Sequence, residues 1–385
     1  MRLKKKAIFD LMDWSVMIPE ILDIIAKKHN LFYEDYICFA GVCKSWRSAA
    51  ARAAHNGLPS HFPSLLLADK TEDYVTKKYC LDDHIELFCL SNKCIRTIRL
   101  PEGSGKLCMF SGGLLLTIGD DFGLKLINPF SHEIINLPKI SNFPEFGSSL
   151  TCDNGIRKVV VVKSSLVVML WGASGNLVVC RYVDEKCRDI VIDEKKMFLD
   201  IMIYSICQDH RIKACDDYEG NNLTSFVTVS KLPKRVFGGQ LNELNRKVYI
   251  VGLEDDNGLL VVIREVVYDV KGDLCGRLIY KTARFRVFKY DLDSKEWSEV
   301  KNLGTKALFV GYGQSFLMEE DSRWVVKENC IYFTEDFCNL NNGSLKGRDM
   351  GVYHMSSRTI EYRFPEESDS HFALPIWIQP VLSRS

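Results

Sequence analysis

Residues 248–263 read VYIVGLEDDNGLLVVI, and this stretch decides the fold class of most of the chain. Two runs of aliphatic and β-branched residues flank the polar segment Asp255–Gly258, which ends in Asn-Gly. Asn-Gly is the strongest short signal for a β-hairpin, because the central residues of such a turn must accept a positive φ. A second polar turn lies at Gly172–Asn176, again between two apolar runs. The pattern predicts antiparallel β-structure.

From about Ser64 onwards, short apolar runs are separated by Gly, Asn and Asp, and no long helical periodicity is present. A strand, a polar turn, a second strand and a closing Leu-Pro or similar pair recur along this region. The closing positions lie near residues 101, 138, 190, 233, 303 and 365. They divide the region into about six units, each close to the roughly 40–50 residues of a four-stranded propeller blade.

We therefore predict an all-β domain over residues 64–380, a β-propeller of about six blades. Radial repetition leaves only short sheet edges exposed, whereas a long open sheet would leave its edges unprotected. A closed ring requires the last strand, near Leu374–Ile378, to complete the blade that begins near Ser64–Leu67. A pair of β-sandwiches or an irregular barrel is the alternative.

The N-terminal segment has a helical pattern instead. Pro19 suits the first turn of a helix, where its missing N–H is not needed, and the apolar residues from Ile18 to Ile25 have the spacing of one helical face. Two more helices are predicted over about 34–40 and 44–54. A helical segment of about forty residues buries too little surface to be stable alone, so it needs a neighbour. We predict a small three-helix domain over residues 14–56.

Two strings in this segment, Trp14-Ser15-Val16-Met17-Ile18-Pro19-Glu20-Ile21-Leu22 and Gly41-Val42-Cys43-Lys44-Ser45-Trp46-Arg47-Ser48-Ala49, resemble an F-box. The resemblance implies docking onto a Skp-type adaptor and, through it, onto a cullin scaffold. It further implies that aliphatic side chains fill apolar pockets of the adaptor and that Trp46 is an anchor. The expected contact residues are Ile18, Pro19, Ile21, Leu22, Ile25, Val42, Cys43 and Trp46.

The resemblance has two departures. Family members usually carry Leu-Pro where this chain has Ile18-Pro19, a change that keeps the apolar volume. They often carry an Arg three residues after an acidic position, whereas Asp35 is followed by Tyr36, Ile37 and Cys38. We expect docking that is weakened but not lost.

The region after Ser64 is also similar to a known family. Its strings look like the large plant family of F-box proteins with a kelch-like domain of unknown function, and both domains occur in the expected order. The strings are Gly112–Leu115, Leu126–Ser131, Leu303-Gly304, Ala307–Gly311, Asn329–Thr334 and Asp349–Tyr353.

This second resemblance implies the substrate-recognition subunit of a Skp–cullin–F-box ubiquitin ligase complex, with an unknown protein target bound by the propeller. A degradation-independent F-box scaffold or binding protein is the alternative. The long polar connections Cys338–Asp349 and Asp269–Arg284 are plausible recognition loops.

Composition narrows the other function classes. Fifty basic residues balance fifty acidic residues, so no overall charge attracts nucleic acid or an anionic membrane surface. The apolar runs are interrupted by polar residues, so neither a signal peptide nor a membrane span is predicted, and we expect an intracellular protein of the cytoplasm, the nucleus or both. Its fourteen cysteines are then expected to be reduced and mostly buried.

No motif predicts catalysis, a cofactor or a metal. Gly103–Lys106 lacks the first glycine and the hydroxyl residue of a phosphate loop, and Asp121–Gly123 copies a kinase motif in letters only. Gly311–Ser315 lacks the central serine of a nucleophile elbow. His29, His84, His132, His210, His354 and His371 have no His or Cys neighbour at zinc-ligand spacing. We expect an adaptor without catalytic residues, and a propeller hydrolase with paired carboxylates is the alternative.

Overall fold

The computed structural model divides into two compact units, Met1–Pro63 with Gln379–Ser385, and Ser64–Ile378. The structure describes defined ranges of residues in both units. These are 14–26, 39–55, 63–67, 84–90, 93–101, 107–118, 123–129, 133–138, 156–162, 166–171, 176–181, 188–190, 196–199, 204–207, 211–215, 226–233, 246–253, 257–269, 279–319, 326–335, 349–362 and 375–378.

The N-terminal unit contains a 3-10 turn at Trp14–Val16 and two helices, α1 (Pro19–Ala26) and α2 (Lys44–His55). The predicted helix starts at Pro19 and Lys44 are confirmed. Residues 39–42 are also helical, whereas most of the predicted second helix lies outside the described residues. The Ile18 carbonyl accepts hydrogen bonds from the first turn of α1, and the Cys43 carbonyl accepts one from Arg47 in α2.

A small core joins α1 to α2. Leu22 and Ala26 of α1 pack with Phe39 and with alanines of α2. Alanine adds little volume, so the two helices can approach closely at these positions. The core residues are Leu22, Ala26, Phe39, Ala49, Ala50 and Ala53.

The described strands of the second unit form six sheets, five with four strands and one with five. The first sheet has the order β25-β1-β2-β3 and contains β1 (Ser64–Leu66), β2 (His84–Cys89), β3 (Cys94–Arg99) and β25 (Ile376–Ile378). The second contains β4 (Leu107–Ser111), β5 (Leu114–Ile118), β6 (Leu124–Ile127) and β7 (Ile134–Leu137). The third contains β8 (Ile156–Val162), β9 (Leu166–Trp171), β10 (Asn176–Arg181) and β11 (Arg188–Ile190).

The remaining sheets follow in chain order. The fourth contains β12 (Lys196–Leu199), β13 (Tyr204–Cys207), β14 (Arg211–Cys215) and β15 (Phe226–Lys231). The fifth contains β16 (Arg246–Leu253), β17 (Gly258–Asp269), β18 (Ile279–Asp291) and β19 (Trp297–Val300). The sixth contains β20 (Lys306–Val310), β21 (Phe316–Glu319), β22 (Cys330–Phe333), β23 (Gly351–His354) and β24 (Thr359–Glu361).

The sheets are arranged in a ring. Their innermost strands touch in the order β25, β4, β8, β12, β16 and β21, so each sheet meets the next. The first and sixth sheets share a core in which Trp377 of β25 meets Phe309 of β20 edge-on, with ring centroids 5.2 Å apart. Successive contacts of this kind are those of a propeller, not of paired sandwiches or an irregular barrel.

The predicted closure of the ring is confirmed. β25 pairs with β1 in antiparallel register, with Ser64 opposite Ile378 and Leu66 opposite Ile376. The first sheet is thus built from both ends of the domain. Such pairing hides the edge that the first three strands would otherwise expose.

The predicted repeat also agrees with the strand positions. The closing positions near 101, 138, 190, 233, 303 and 365 fall within four residues of the ends of β3, β7, β11, β15, β19 and β24. Both predicted hairpins exist, β9–β10 and β16–β17. In the second hairpin, Gly258 is already paired with Leu253 as the first residue of β17. Asn257, with a positive φ of 28°, is therefore the last residue of the turn, and the Asn-Gly pair does not form the centre of the turn as predicted.

The sixth sheet departs from the simple repeat. Its order is β21-β20-β22-β23-β24, and β20 runs parallel to β22. The chain goes from β20 to the innermost strand and then returns past β20, which adds a strand that the repeat did not predict. The segment Gly311–Ser315 makes this reversal, and Gln314 accepts a hydrogen bond from the Gly112 N–H at 2.8 Å.

One predicted recognition loop is wrong in part. β17 runs to Asp269 and β18 begins at Ile279, so most of the C-terminal half of Asp269–Arg284 is a strand. The end of β17 and the start of β18 pair in antiparallel register, from Val266 opposite Thr282 to Asp269 opposite Ile279. This pairing makes both segments strands. The other predicted loop, Cys338–Asp349, lies outside the described residues except for Asp349 itself.

Among the described cysteines, Cys180 differs from expectation. Cys43, Cys89, Cys94 and Cys330 are thiols, as expected, but Cys180 of β10 is disulfide-bonded. Spacing along the chain could not show which cysteines the fold brings together.

A buried charged network joins the fifth and sixth sheets. Arg264 of β17 is fully buried and donates to the Asp349 carboxylate at 3.0 Å and to the backbone carbonyls of Thr334 and Asp349, each at 2.8 Å. Thr282 of β18 accepts from Arg264 at 2.7 Å and donates to the same carboxylate at 2.6 Å. We call Arg264, Thr282, Thr334 and Asp349 the buried clamp.

The buried clamp influences its surroundings. The guanidinium of Arg264 lies over the Phe333 ring, 4.8 Å from the centroid, a geometry in which the ring face attracts a cation. Partial burial, and next the Asp349 carboxylate, raise the pKa of Tyr362 above its usual value. The sixth sheet is therefore held to the fifth by charge as well as by apolar packing.

Loss of one partner from the clamp should be costly. Asp349→Ala would leave the Arg264 guanidinium buried without a counter-charge, and we expect a loss of about 3–5 kcal/mol in unfolding free energy. Equilibrium denaturation in guanidinium chloride measures this loss. As a control, Glu319→Ala removes the exposed Lys306–Glu319 pair, whose N–O distance is also 3.0 Å, and should cost only about 0–1 kcal/mol. Equal losses for the two variants would contradict the assignment.

The backbone at Gly311 should not tolerate a side chain. A Cβ there would overlap the Oγ1 of Thr334, whose backbone N–H donates to the Val310 carbonyl at 3.2 Å. A Cβ at Gly313 would lie 3.5 Å from the Ile376 Cβ, an ordinary contact. We expect Gly311→Ala to destabilise the propeller by about 1–3 kcal/mol, as overpacking does. Gly313→Ala is the control, and thermal melts compare the two variants. An equal loss of thermal stability in both would argue against the close approach of Gly311 to Thr334.

Candidate functional site

Six large apolar side chains in the described part of the N-terminal unit are exposed to solvent. Val16 and Ile24 are the most open, with 73% and 69% of their surface exposed. The set comprises Trp14, Val16, Ile18, Ile21, Ile24 and Val42, and we call it the exposed apolar face. Apolar surface concentrated in so short a segment is typical of a protein–protein contact.

The propeller differs in this respect. Its described exposed large apolar residues are Ile95, Ile134, Val267 and Tyr362, which belong to different sheets or chain segments. Single exposed apolar residues are normal on folded proteins and need no explanation. Within the described residues, the apolar surface that calls for a partner therefore lies on the N-terminal unit.

The sequence of α1 explains why these side chains are exposed. Leu22 and Ala26 are four residues apart, share one side of the helix and face α2. Ile21 and Ile24 fall on other positions around the same helix, and Ile18 directly precedes it; all three remain outside this core. A helix that is apolar around much of its circumference needs cover on more than one side. α2 covers only one of them.

The predicted contact residues are divided by the structure. Ile18, Pro19, Ile21 and Val42 are exposed, whereas Ile25, Cys43 and Trp46 are half-buried. Leu22 is wrong as a surface residue, because it is fully buried in the core between the helices. Helical spacing predicted the apolar residues correctly but not which of them α2 would cover.

Three residues of the exposed apolar face were missed. Ile24 belongs to the predicted helical face, and its spacing from Ile21 could have indicated its exposure. Trp14 and Val16 precede α1 in the 3-10 turn, where no helical periodicity applies. Their apolar character just before Pro19 was the available signal.

Trp46 has a role inside the unit. Its indole Nε1–H donates to the Trp14 carbonyl at 2.8 Å, and its ring packs against Phe39 with centroids 4.6 Å apart. It therefore attaches the 3-10 turn to α2 and positions the exposed side chains of that turn. Aromatic pairs of this kind contribute about 0.5–1.5 kcal/mol beyond their buried area.

Polar contacts add little stability. The Arg52 guanidinium contacts the Asp23 carboxylate at 2.7 Å, but both side chains are partly exposed. Such pairs contribute about 0–1 kcal/mol. Asp23 lies in α1 and Arg52 in α2, so this contact helps to align the two helices.

In the described part of the chain, no three His, Cys, Asp or Glu side chains are grouped so that they could hold a metal ion. None of the described helices has the length and apolar character that a membrane crossing requires.

Among the described residues, the arrangement that most resembles a catalytic Cys–His–carboxylate triad lies across β22, β23 and β24. Cys330 Sγ is 3.3 Å from His354 Nδ1, and His354 Nε2 is 3.4 Å from the Glu361 carboxylate. Cys330 and His354 face each other in register, which sequence spacing could not reveal. The thiol is buried in the core between the sixth and first sheets, so a bulky substrate could not reach it.

The ring of sheets, closed by pairing of the last strand with the first, defines a β-propeller protein. The family model described as KIB1-4 beta-propeller matches residues 87–354. The chain belongs to this family.

Proteins from Arabidopsis thaliana are similar to the chain over nearly its whole length. "F-box protein SKIP23" is 24% identical, with 96% of each chain covered. "F-box/kelch-repeat protein At1g57790" is 23% identical, with 90% of this chain and 89% of that protein covered. "Putative F-box protein At5g55150" is 22% identical, with 90% and 92% covered.

The core of the N-terminal unit should respond to truncation, whereas its exposed face should not. We expect Leu22→Ala to destabilise the unit by about 2–5 kcal/mol, because it removes a fully buried side chain. Ile24→Ala, on the same helix but exposed, should change stability by less than about 0.5 kcal/mol. Hydrogen exchange of the α1 and α2 amides in the full chain measures both. Equal loss of protection would show that Ile24 is covered.

Proposed function

We propose that this chain is the substrate-recognition subunit of a Skp–cullin–F-box ubiquitin ligase complex. Residues 14–56, within the N-terminal unit, are the F-box and bind a Skp-type adaptor, which links the chain to the cullin scaffold. The kelch-like propeller of residues 64–380 binds a protein target. The exposed apolar face is the observation that carries this proposal.

Three features support the adaptor contact. The exposed apolar face includes large aliphatic side chains, which suit apolar pockets in a partner. The helical strings resemble an F-box, and relatives that match nearly the whole chain carry F-box in their names. The apolar surface of such a face contributes to stability only when a second protein covers it.

The adaptor-binding residues of the proposal follow the observed exposure. Ile18, Pro19, Ile21 and Val42 contact the adaptor directly, with the half-buried Ile25 and Cys43 at the margin. Trp46 acts through the 3-10 turn that it holds, and Leu22 supports α1 from within. Ile24 and the residues of the turn extend the contact.

The proposed contribution to ubiquitin transfer is proximity. A receptor holds a target lysine near the ubiquitin-loaded partner and so raises its effective concentration, which needs no catalytic side chain in the receptor. A rigid propeller suits this task, because a body of closed sheets presents its loops in a fixed arrangement.

A charge in the exposed apolar face should abolish adaptor binding. Ile21→Asp would bury an unpaired carboxylate at the interface, at a cost of several kcal/mol. We expect at least about a hundredfold weaker binding of a purified Skp-type adaptor, as about 2.7 kcal/mol or more would give. Because Ile21 is exposed in this chain, the fold itself should be unchanged, which circular dichroism checks.

The matched control is Val267→Asp, which places the same charge at a similarly exposed valine of β17. Adaptor binding should be retained in this variant. Unchanged binding by Ile21→Asp would refute the proposed face. If Ile21→Asp loses the adaptor but leaves the half-lives of propeller-bound proteins unchanged in cells, the chain acts as a degradation-independent scaffold.

A further inference from the structure

Two cysteines face each other across the first hairpin of the propeller. Cys89 ends β2 and Cys94 begins β3, and the two are direct partners in the antiparallel register. Direct partners place their side chains on the same face of a sheet. The pair therefore brings two thiols together that are separated by a short turn in the sequence.

The turn fixes this geometry. Lys93 has a positive φ of 54°, and its N–H donates to the Cys89 carbonyl at 3.0 Å. The chain is thus reversed tightly between the two cysteines, and the strands continue in regular pairing from Phe88–Ile95 to His84–Arg99. The two thiols have little freedom to separate.

The spacing fits a disulfide. Directly opposed residues in an antiparallel pair have Cα atoms about 4.5 or 5.5 Å apart, according to their hydrogen-bonding position. Disulfides span Cα separations of about 4.4–6.8 Å, so both positions are compatible. A bond could form without a change in strand register.

The two thiols differ in access. Cys94 is half-buried and lies on β3, the outermost strand of the first sheet. Cys89 is 2% exposed and lies on β2, inside the sheet. A small oxidant in solvent would meet Cys94 first, with Cys89 held behind it.

We propose that Cys89 and Cys94 form a site of reversible two-electron thiol oxidation. The Cys94 thiolate attacks hydrogen peroxide, which gives a sulfenic acid and, after proton uptake by the leaving hydroxide, one water. The Cys89 thiol then attacks the sulfenic sulfur, forms the S–S bond and releases the second water. Both cysteines are oxidised and peroxide is reduced to two waters, and an excess of dithiol reverses the step by thiol–disulfide exchange.

The bond would act on the sheet that closes the ring. It would link the outermost strand β3 covalently to β2, in the sheet that β25 completes from the other end of the domain. Oxidation would thereby restrain the outer edge of the closing blade. This site is separate from the exposed apolar face of the N-terminal unit.

Peptide mapping of the full chain tests the proposal. The purified reduced protein is treated with hydrogen peroxide, its remaining thiols are alkylated, and it is cleaved with trypsin and Asp-N. Cleavage after Lys93 separates the two cysteines, and cleavage before Asp83 removes Cys80. We expect peptides 83–93 and 94–96 joined with the loss of two hydrogens, and their separation by dithiothreitol.

Matched variants complete the test. In Cys94→Ser the linked peptide should disappear and Cys89 should become alkylated, and in Cys89→Ala a Cys94 sulfenic acid should be trapped by dimedone. Cys330→Ser, at a buried thiol of the sixth sheet, should leave the linked peptide unchanged. Alkylation of both cysteines after peroxide treatment of the folded wild-type chain would overturn the proposal, as would a Cys94 bond to any other cysteine.

Discussion

The pairing of β25 with β1 is the interaction on which the propeller depends, because it joins the two ends of the ring. Trp377 fixes this strand to the sixth sheet: it is almost fully buried, and its indole N–H donates to the Val310 carbonyl at 3.2 Å. Phe309 and Tyr332 meet its edge or face from the same sheet. Contacts between residues so distant in sequence are costly in chain entropy, so the ring gains its stability only when all its sheets are in place.

The junction of the fifth and sixth sheets uses a different kind of interaction. A buried ion pair contributes little net stability compared with apolar packing, because both charges lose their hydration. The planar guanidinium of Arg264, however, donates to the carboxylate of Asp349 and to two backbone carbonyls at once. Only one placement of β17 relative to the chain at Thr334 and Asp349 satisfies all of these donors. Apolar packing thus closes the ring, and the buried clamp joins the fifth sheet to the chain at Thr334 and Asp349.

Local signals predicted most of the fold, and distant contacts account for what they missed. Polar turns and closing positions revealed the repeat, because each unit pairs neighbouring strands within about 40–50 residues. The parallel pairing of β20 with β22 and the contact between Arg264 and Asp349 have no local signature. At the candidate site, periodicity predicted the apolar residues of α1, but the alanines of α2 decided that Leu22 is buried and Ile24 is exposed.

This difference between the packed and the exposed sides of α1 matters for binding. One side of this short helix packs within the chain through Leu22 and Ala26, whereas Ile21 and Ile24 on another side, and Ile18 just before the helix, are exposed to solvent. Burial of apolar surface contributes about 25 cal/mol per Å², so a partner that covers this side gains affinity from it. In the described part of the propeller, most large apolar side chains lie in the cores, and the exposed ones, Ile95, Ile134, Val267 and Tyr362, are dispersed. Within the described residues, exposed apolar surface is therefore concentrated in the helical unit.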